Sequence, residues 1–290
     1  MGKIKLAIFC LILITLSITS CVNKQNEIVM GINNQEIGNG ETTLFFIHGN
    51  SSSHKVFSKQ MNSGLADSYT LHAVDLPGHG DSANAEEVNV YSMPGYASKL
   101  DDYIKTQGLE NVVLIGWSLG GHIALEMVSR EDHPYKGVVI FGTPPLGIPP
   151  AMEAAFLPNE AVNIGFTPEV DEEMAKAYAS SFLKKGSGLD LTSFAEDILK
   201  TDKDARANLV PSMSTIGYAD EVKVIAEMKI PIMVIHGSQE QLVNSSYIDS
   251  LTMPTLFQNK VQFIDGAGHA PQVETPAEFN KLIADFAATL

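Results

Sequence analysis

An α/β fold with a mostly parallel sheet, helices on both of its faces and one helical insertion is what the sequence predicts. Three observations carry that prediction. Short, nearly continuous apolar runs at 43–47, 112–115 and 137–141 read as strands buried on both faces. These runs alternate with stretches of helical periodicity, at 93–105 and 276–289 among others, as crossover units of a parallel sheet require. From about residue 146 to 221 the strand runs stop, and helical patterns rich in Ala, Met, Glu and Lys replace them.

In chain order, residues 27–40 are Gly- and Asn-rich and predict a small antiparallel pair at the sheet edge. A strand at 43–47 ends in His48-Gly49, and a helix is expected around 56–65. The strand at 69–74 runs into Asp75-Leu76-Pro77-Gly78-His79-Gly80, a loop by its Pro and Gly content. Ser92 is placed to cap the helix at 93–105, with Pro94 in its first turn. The insertion predicts helices at 149–156, 168–183, 191–200 and 203–213. Strand patterning resumes at 231–236 and 261–264, and a helix at 276–289 closes the chain.

The 290 residues carry a formal charge of −15 and no basic cluster, which argues against nucleic acid or an anionic lipid surface as partner of the folded domain. The start reads as a targeting segment. Lys3 and Lys5 precede an apolar run at 6–16, shorter than the ~20 residues a membrane-spanning helix needs. Ile18-Thr19-Ser20-Cys21 resembles a bacterial lipoprotein cleavage box, so Cys21 is the expected lipidation site. The expected organisation is a signal peptide at 1–20, a tether at 21–26, a catalytic core at 27–145 and 222–290, and a helical cap at 146–221. The protein is expected as an exported, membrane-anchored lipoprotein that meets the membrane through the lipid alone. The two cysteines, Cys10 and Cys21, leave the folded domain without a disulfide or a thiol nucleophile.

The chemistry centres on Gly116-Trp117-Ser118-Leu119-Gly120, between an apolar strand and a helical pattern. A serine on so sharp a turn collides with bulky neighbours, and glycines two before and two after it remove the colliding side chains. The turn lifts the hydroxyl clear of the sheet. His48, Asp75, Ser118, the region of Glu240 and His269 all follow predicted strands, so they converge on the carboxyl edge of the sheet.

With these motifs in hand, the chain resembles the α/β-hydrolase fold family from about residue 28 to the end. The likeness rests on His48-Gly49-Asn50, Asp75 to Gly80, Gly116 to Gly121 and Gly266-Ala267-Gly268-His269-Ala270-Pro271, in that order. It implies a helical cap inserted after strand six. His48-Gly49-Asn50-Ser51-Ser52-Ser53, Gly116 to His122, Gly142-Thr143-Pro144-Pro145 and a Glu in the acid loop look like the metal-independent N-acyl homoserine lactonases of this fold. In those enzymes an Asn after His-Gly and a cap Tyr assist at the substrate, which points to Asn50 and Tyr178. The exported start departs from those lactonases, which look cytoplasmic.

A serine needs a base, and His269, late in the chain in a glycine-rich loop, is the expected one. The rival His48 is expected to hold its loop by hydrogen bonds. The order Ser, acid, His of this fold makes Glu240 the acid, where the family usually has Asp. Asp265 competes, and Asp75 is expected to order its own loop. The backbone amides of Leu119 and Asn50 form the expected oxyanion hole, and the Asn50 side chain either binds the substrate amide or ties its own turn. Trp117 is expected at the substrate with Asn50 and Tyr178. No metal or organic cofactor is implied.

The expected activity is hydrolysis of a small-molecule carboxylic ester or lactone, with N-acyl homoserine lactone ring opening as the specific reading. A general carboxylesterase or C–C bond hydrolase of the same fold is the first alternative. A non-catalytic binding protein on this scaffold is the second.

Overall fold

The computed structural model describes residues 28–130 and 133–290. The expected signal peptide, Cys21 and the tether lie outside the described residues.

Among the described residues, eight strands form one sheet: β1 (Ile28–Val29), β2 (Ile32–Ile37), β3 (Thr43–Ile47), β4 (Thr70–Val74), β5 (Val112–Trp117), β6 (Gly137–Phe141), β7 (Ile232–Gly237) and β8 (Gln262–Ile264). Their order across the sheet is β1-β2-β4-β3-β5-β6-β7-β8. The edge pair β1 and β2 is antiparallel, and β2 also runs antiparallel to β4. All other pairings are parallel, with Ile47 beside Gly116 and Trp117 beside Phe141 in register. Every residue of β3, β5, β6 and β7 is buried, because helices cover both faces.

The helix Met93–Gln107 starts as its sequence dictates: the Ser92 hydroxyl accepts the Gly95 amide at 3.1 Å. It runs two residues past the expected end. Gly108, at φ 64°, closes it in the left-handed conformation that glycine adopts without a Cβ clash. The expected single helix around 56–65 is instead a 3-10 turn (His54–Phe57), one α-turn (Ser58–Met61) and a second 3-10 turn (Gly64–Asp67). Ser53 and Ser63 each cap a new turn with their hydroxyls, so the segment restarts rather than propagates.

The helical cap lies between β6 and β7. It holds Met152–Ala155, a 3-10 stretch Glu160–Phe166, and helices Glu172–Ser181, Thr192–Lys200 and Lys203–Thr215. The first is one turn, shorter than the sequence pattern predicts, because the chain turns extended at Phe156, which bridges to Val243. Arg206, 4% exposed, knots the cap together. Its guanidinium donates to the carbonyls of Thr167 (2.9 Å), Pro168 (2.7 Å), Ile198 (2.9 Å) and Thr201 (2.7 Å). A helix at Glu221–Glu227, which the sequence pattern does not reveal, leads back to β7.

Candidate active site

Ser118 stands between the last residue of β5 and the helix Leu119–Val128, at φ 53° and ψ −117°. A serine held there stores roughly 1–3 kcal/mol of backbone strain. The surroundings fix it. Its amide donates to Phe141 O at 2.8 Å, and Thr143 Oγ1 donates to its carbonyl at 2.8 Å. A Cβ on Gly116 would lie 2.3 Å from Gly120 O, and one on Gly120 would lie 2.1 Å from Ile47 O. Both glycines are therefore required by the close approach of backbone to backbone.

His269 follows β8, and Glu240 follows β7. The ring Nδ1 lies 2.8 Å from Glu240 Oε2, with both side chains buried. A carboxylate offers only acceptors, so Nδ1 carries the hydrogen and Nε2 keeps its lone pair. The other carboxylate oxygen, Oε1, accepts the amides of Gln241 and Leu242 at 2.8 Å each. Burial pushes the Glu240 carboxyl up. Attraction to His269 and the hydrogen bonds from His269 and Leu242 outweigh it, and the group is held below the ordinary glutamate range. Asp265 points elsewhere, accepting the Ser238 hydroxyl at 3.0 Å in an exposed turn.

Trp117 requires a correction. Its ring is 1% exposed and does not line the cavity; its Nε1–H donates to the His269 carbonyl at 2.8 Å. Successive strand residues point to opposite faces, so the neighbour of Ser118 is carried into the core beneath the histidine loop.

The amides of Asn50 and Leu119 donate to no protein acceptor among the described residues. Leu119 opens its helix and so has no partner one turn back. The Asn50 side chain makes two contacts: its Oδ1 accepts the hydroxyl of Ser51 in its own turn at 3.3 Å, and the other end reaches the cap. Its Nδ2 donates to Gly165 O in the cap at 2.6 Å. Tyr178 packs over the same Gly165, where a Cβ would meet its hydroxyl at 2.4 Å. Burial pushes its phenol well up, and a hydrogen bond with Asn50 opposes this.

His48 holds the loop that carries Asn50. Its Nε2 accepts the Leu76 amide at 2.9 Å, which makes Nδ1 the donor to Gly49 O at 2.7 Å. Burial lowers its pKa to about 4, so the ring is neutral. Asp75 is fully buried, accepts from His54, Asn33 and the Asp81 amide, and orders its own loop.

Ser118, Leu119, His269, Asn50 and Tyr178 line one cavity of about 120 Å³. Core loops form its floor, and Met152, Phe156, Phe166, Leu209, Val210 and Met213 of the cap form its apolar roof. The volume is below the ~300–1,000 Å³ of common ligand clefts. The half-exposed Met152 and Val210 mark the side where it opens.

Several residues that hold this site carry no local sequence signal. Glu274 accepts the amides of Gly268 (2.6 Å) and Lys184 (2.9 Å), pinning the histidine loop to the cap. Asp197 of the cap accepts the Ser53 hydroxyl at 2.6 Å. His122, also at the cavity wall, has a buried partner in Glu221.

Comparison with known proteins adds the lineage. The AB hydrolase superfamily protein YisY of Bacillus subtilis (strain 168) is 25% identical over 261 residues, covering 87% of this chain and 93% of its own. The pimeloyl-[acyl-carrier protein] methyl ester esterase of Wigglesworthia glossinidia brevipalpis is 26% identical over 256 residues, covering 86% and 95%. Among solved structures, a serine-to-glycine variant of the N-acyl homoserine lactonase AidH, complexed with N-hexanoyl homoserine lactone, superposes with a TM-score of 0.84. It is 31% identical, over 91% of this chain and 97% of its own. The pattern of the alpha/beta hydrolase family matches residues 44–282. The strained serine after β5 thus sits in a scaffold shared along almost the whole chain, and this protein belongs to the alpha/beta hydrolase family.

Proposed function

We propose that the protein is a serine hydrolase that opens N-acyl homoserine lactones, with Ser118 as nucleophile, His269 as base and Glu240 as the acid that orients it. The single observation that carries the reading is the buried His269–Glu240 pair at 2.8 Å, with His269 lining the same cavity as Ser118. The 31–32% identity to AidH structures supports the choice of substrate.

His269 Nε2 takes the Ser118 proton as Oγ attacks the lactone carbonyl. The amides of Leu119 and Asn50 hold the oxyanion; losing one such donor commonly costs ~3 kcal/mol. The imidazolium then protonates the departing ring oxygen, which stays tethered to the acyl part. Water, deprotonated by the same ring, cleaves the acyl-enzyme and releases the hydroxy acid. The apolar roof receives the acyl chain without a basic anchor, as a neutral substrate requires.

The test is a panel of N-acyl homoserine lactones and p-nitrophenyl esters of matched chain length, on protein lacking residues 1–21. Lactones should be opened with the higher kcat/KM, and Ser118→Ala should abolish turnover with the fold kept. Faster cleavage of the esters would transfer the assignment to a general carboxylesterase, a reading the methyl ester esterase relatives favour. Undiminished turnover by Ser118→Ala would remove the mechanism. We propose in addition that Cys21 is lipidated on export; mass spectrometry showing an unmodified Cys21, or a terminus elsewhere, would refute it.

A further inference from the structure

Among the buried ionisable pairs that the mechanism leaves unused, one, His122–Glu221, reaches the cavity wall. His122 lies one helical turn after Ser118, and side chains on a helix lean toward its N-terminus, here toward the serine. Its Nδ1 is 2.9 Å from each carboxylate oxygen of Glu221. Glu221 is 1% exposed and fixed at the two ends of the cap: its Oε2 accepts the Leu146 amide at 2.7 Å, and its own amide donates to Leu146 O at 2.9 Å. Facing a carboxylate, Nδ1 carries the hydrogen; in the neutral ring Nε2 then presents a lone pair. Among the described residues nothing donates to Nε2, and the side chain lines the cavity beside Ser118 and His269. The surrounding wall, Leu119, Leu146 and Met213 among others, is apolar.

A hydrogen-bond acceptor with a fixed tautomer, set in an apolar acyl pocket, selects for a donor on the ligand. We propose that His122 is a specificity-determining residue that accepts a hydrogen bond from a hydroxyl on the acyl chain, so that hydroxyacyl substrates are preferred. This rests on the lactonase reading of the Ser118 site. His122 and Ser118 are one helical turn, ~5.4 Å, apart along the axis and line the same cavity. A hydroxyl on the third acyl carbon of an N-acyl homoserine lactone, a few bonds beyond the ring, is therefore the probe chosen for this contact. An unsubstituted chain leaves Nε2 unpaired. A 3-oxo group sets its own lone pairs against it.

The experiment measures kcat/KM for N-hexanoyl, N-(3-hydroxyhexanoyl) and N-(3-oxohexanoyl) homoserine lactone on the wild type, His122→Phe and Glu221→Gln. The wild type should prefer the hydroxy over the unsubstituted substrate by on the order of threefold to tenfold, the worth of one neutral hydrogen bond. His122→Phe should bring that ratio to about one. The ratio within one preparation is independent of the folded fraction, so partial destabilisation cannot mimic the result. Glu221→Gln should lower the preference. As the amide oxygen, Oε2 keeps the Leu146 amide and stays within reach of Nδ1, while the NH2 at the Oε1 position competes for the same ring nitrogen, so the Nδ1–H tautomer is no longer fixed. A ring that served only to hold the cap would leave all three ratios alike. Equal wild-type values for hydroxy and unsubstituted substrates, or a ratio unmoved in His122→Phe, would overturn the inference while lactone opening stands. If the wild type opens none of the three, the lactonase reading falls separately. Calorimetric binding of the same lactones to Ser118→Ala then decides: tighter binding of the hydroxy compound keeps the inference, and equal or absent binding overturns it.

Discussion

Replacing Glu240 by glutamine keeps the shape of the acid and exchanges one oxygen for an NH2. Three N–H groups point at the native carboxylate: the Gln241 and Leu242 amides at Oε1 and His269 Nδ1 at Oε2. A glutamine has one oxygen to offer. Turned toward the two backbone amides, it keeps both bonds. Turned toward the ring, it leaves two buried donors facing an NH2, each at ~1–3 kcal/mol. The first orientation wins by a few kcal/mol, and the NH2 then donates to Nδ1. The ring hydrogen is driven to Nε2, where it blocks acceptance of the serine proton. A wrong tautomer of this kind costs about 10⁴ in kcat in the Ser-His-Asp template. A loss of ~10³–10⁴ is expected here, or roughly 4–5.5 kcal/mol of transition-state stabilisation at 1.36 kcal/mol per decade. Two of three bonds survive, so thermal stability should barely change. The assay is kcat/KM on any ester or lactone the wild type turns over, read beside the melting temperature. Glu240→Gln within tenfold of wild type, with its fold intact, would refute the assignment of Glu240 as the orienting acid.

Two further outcomes follow from the way the cap is held. Burial raises the Asp197 pKa to about 6 against the opposing Ser53 hydrogen bond and Lys55 charge, so the folded chain binds a proton that the unfolded chain has lost between roughly pH 4 and 6. Stability from this group is present at the acid side and falls as pH rises through about 6. The stability of Asp197→Asn relative to wild type should grow by ~2 kcal/mol between pH 4.5 and pH 8; a difference in melting temperature that is flat with pH would contradict this. Arg206→Ala strips four carbonyls of their donors and should cost about 3 kcal/mol, or ~6–12 °C in melting temperature. Calorimetry showing a shift under ~2 °C would show that the cap does not depend on it.

Much of this architecture was legible because its signals are local. Strands β3 and β6 have the bounds that their apolar runs predict. The turn at Ser118 is written in five consecutive residues, since strand, sharp turn and helix each leave a mark in composition. His269 and Glu240 follow from the order of loops along the chain and meet in space as that order implies. The supports of the site follow no such rule. His122 and Glu221 are 99 positions apart, Asn50 and Gly165 are 115, and Ser53 and Asp197 are 144. Each pair joins a core loop or the nucleophile helix to the cap, and neither partner changes its local periodicity to announce the other. The buried position of Trp117 is hidden from the sequence for a related reason. Adjacency in sequence to the serine says nothing of the face its side chain takes.

The ties between cap and core have a consequence for how this enzyme can change. Asn50 reaches Gly165, Ser53 reaches Asp197, and Glu274 grips both Gly268 and Lys184. The two loops that frame Ser118 are thus partly built by the segment that also roofs the apolar cavity. Grafting a foreign cap to alter selectivity would dismantle the reaction centre unless these three junctions travel with it, whereas substitutions in the apolar roof leave them untouched. New ligand preferences are therefore accessible through single changes in the roof, and through exchange of the whole segment only when its junction residues are carried along.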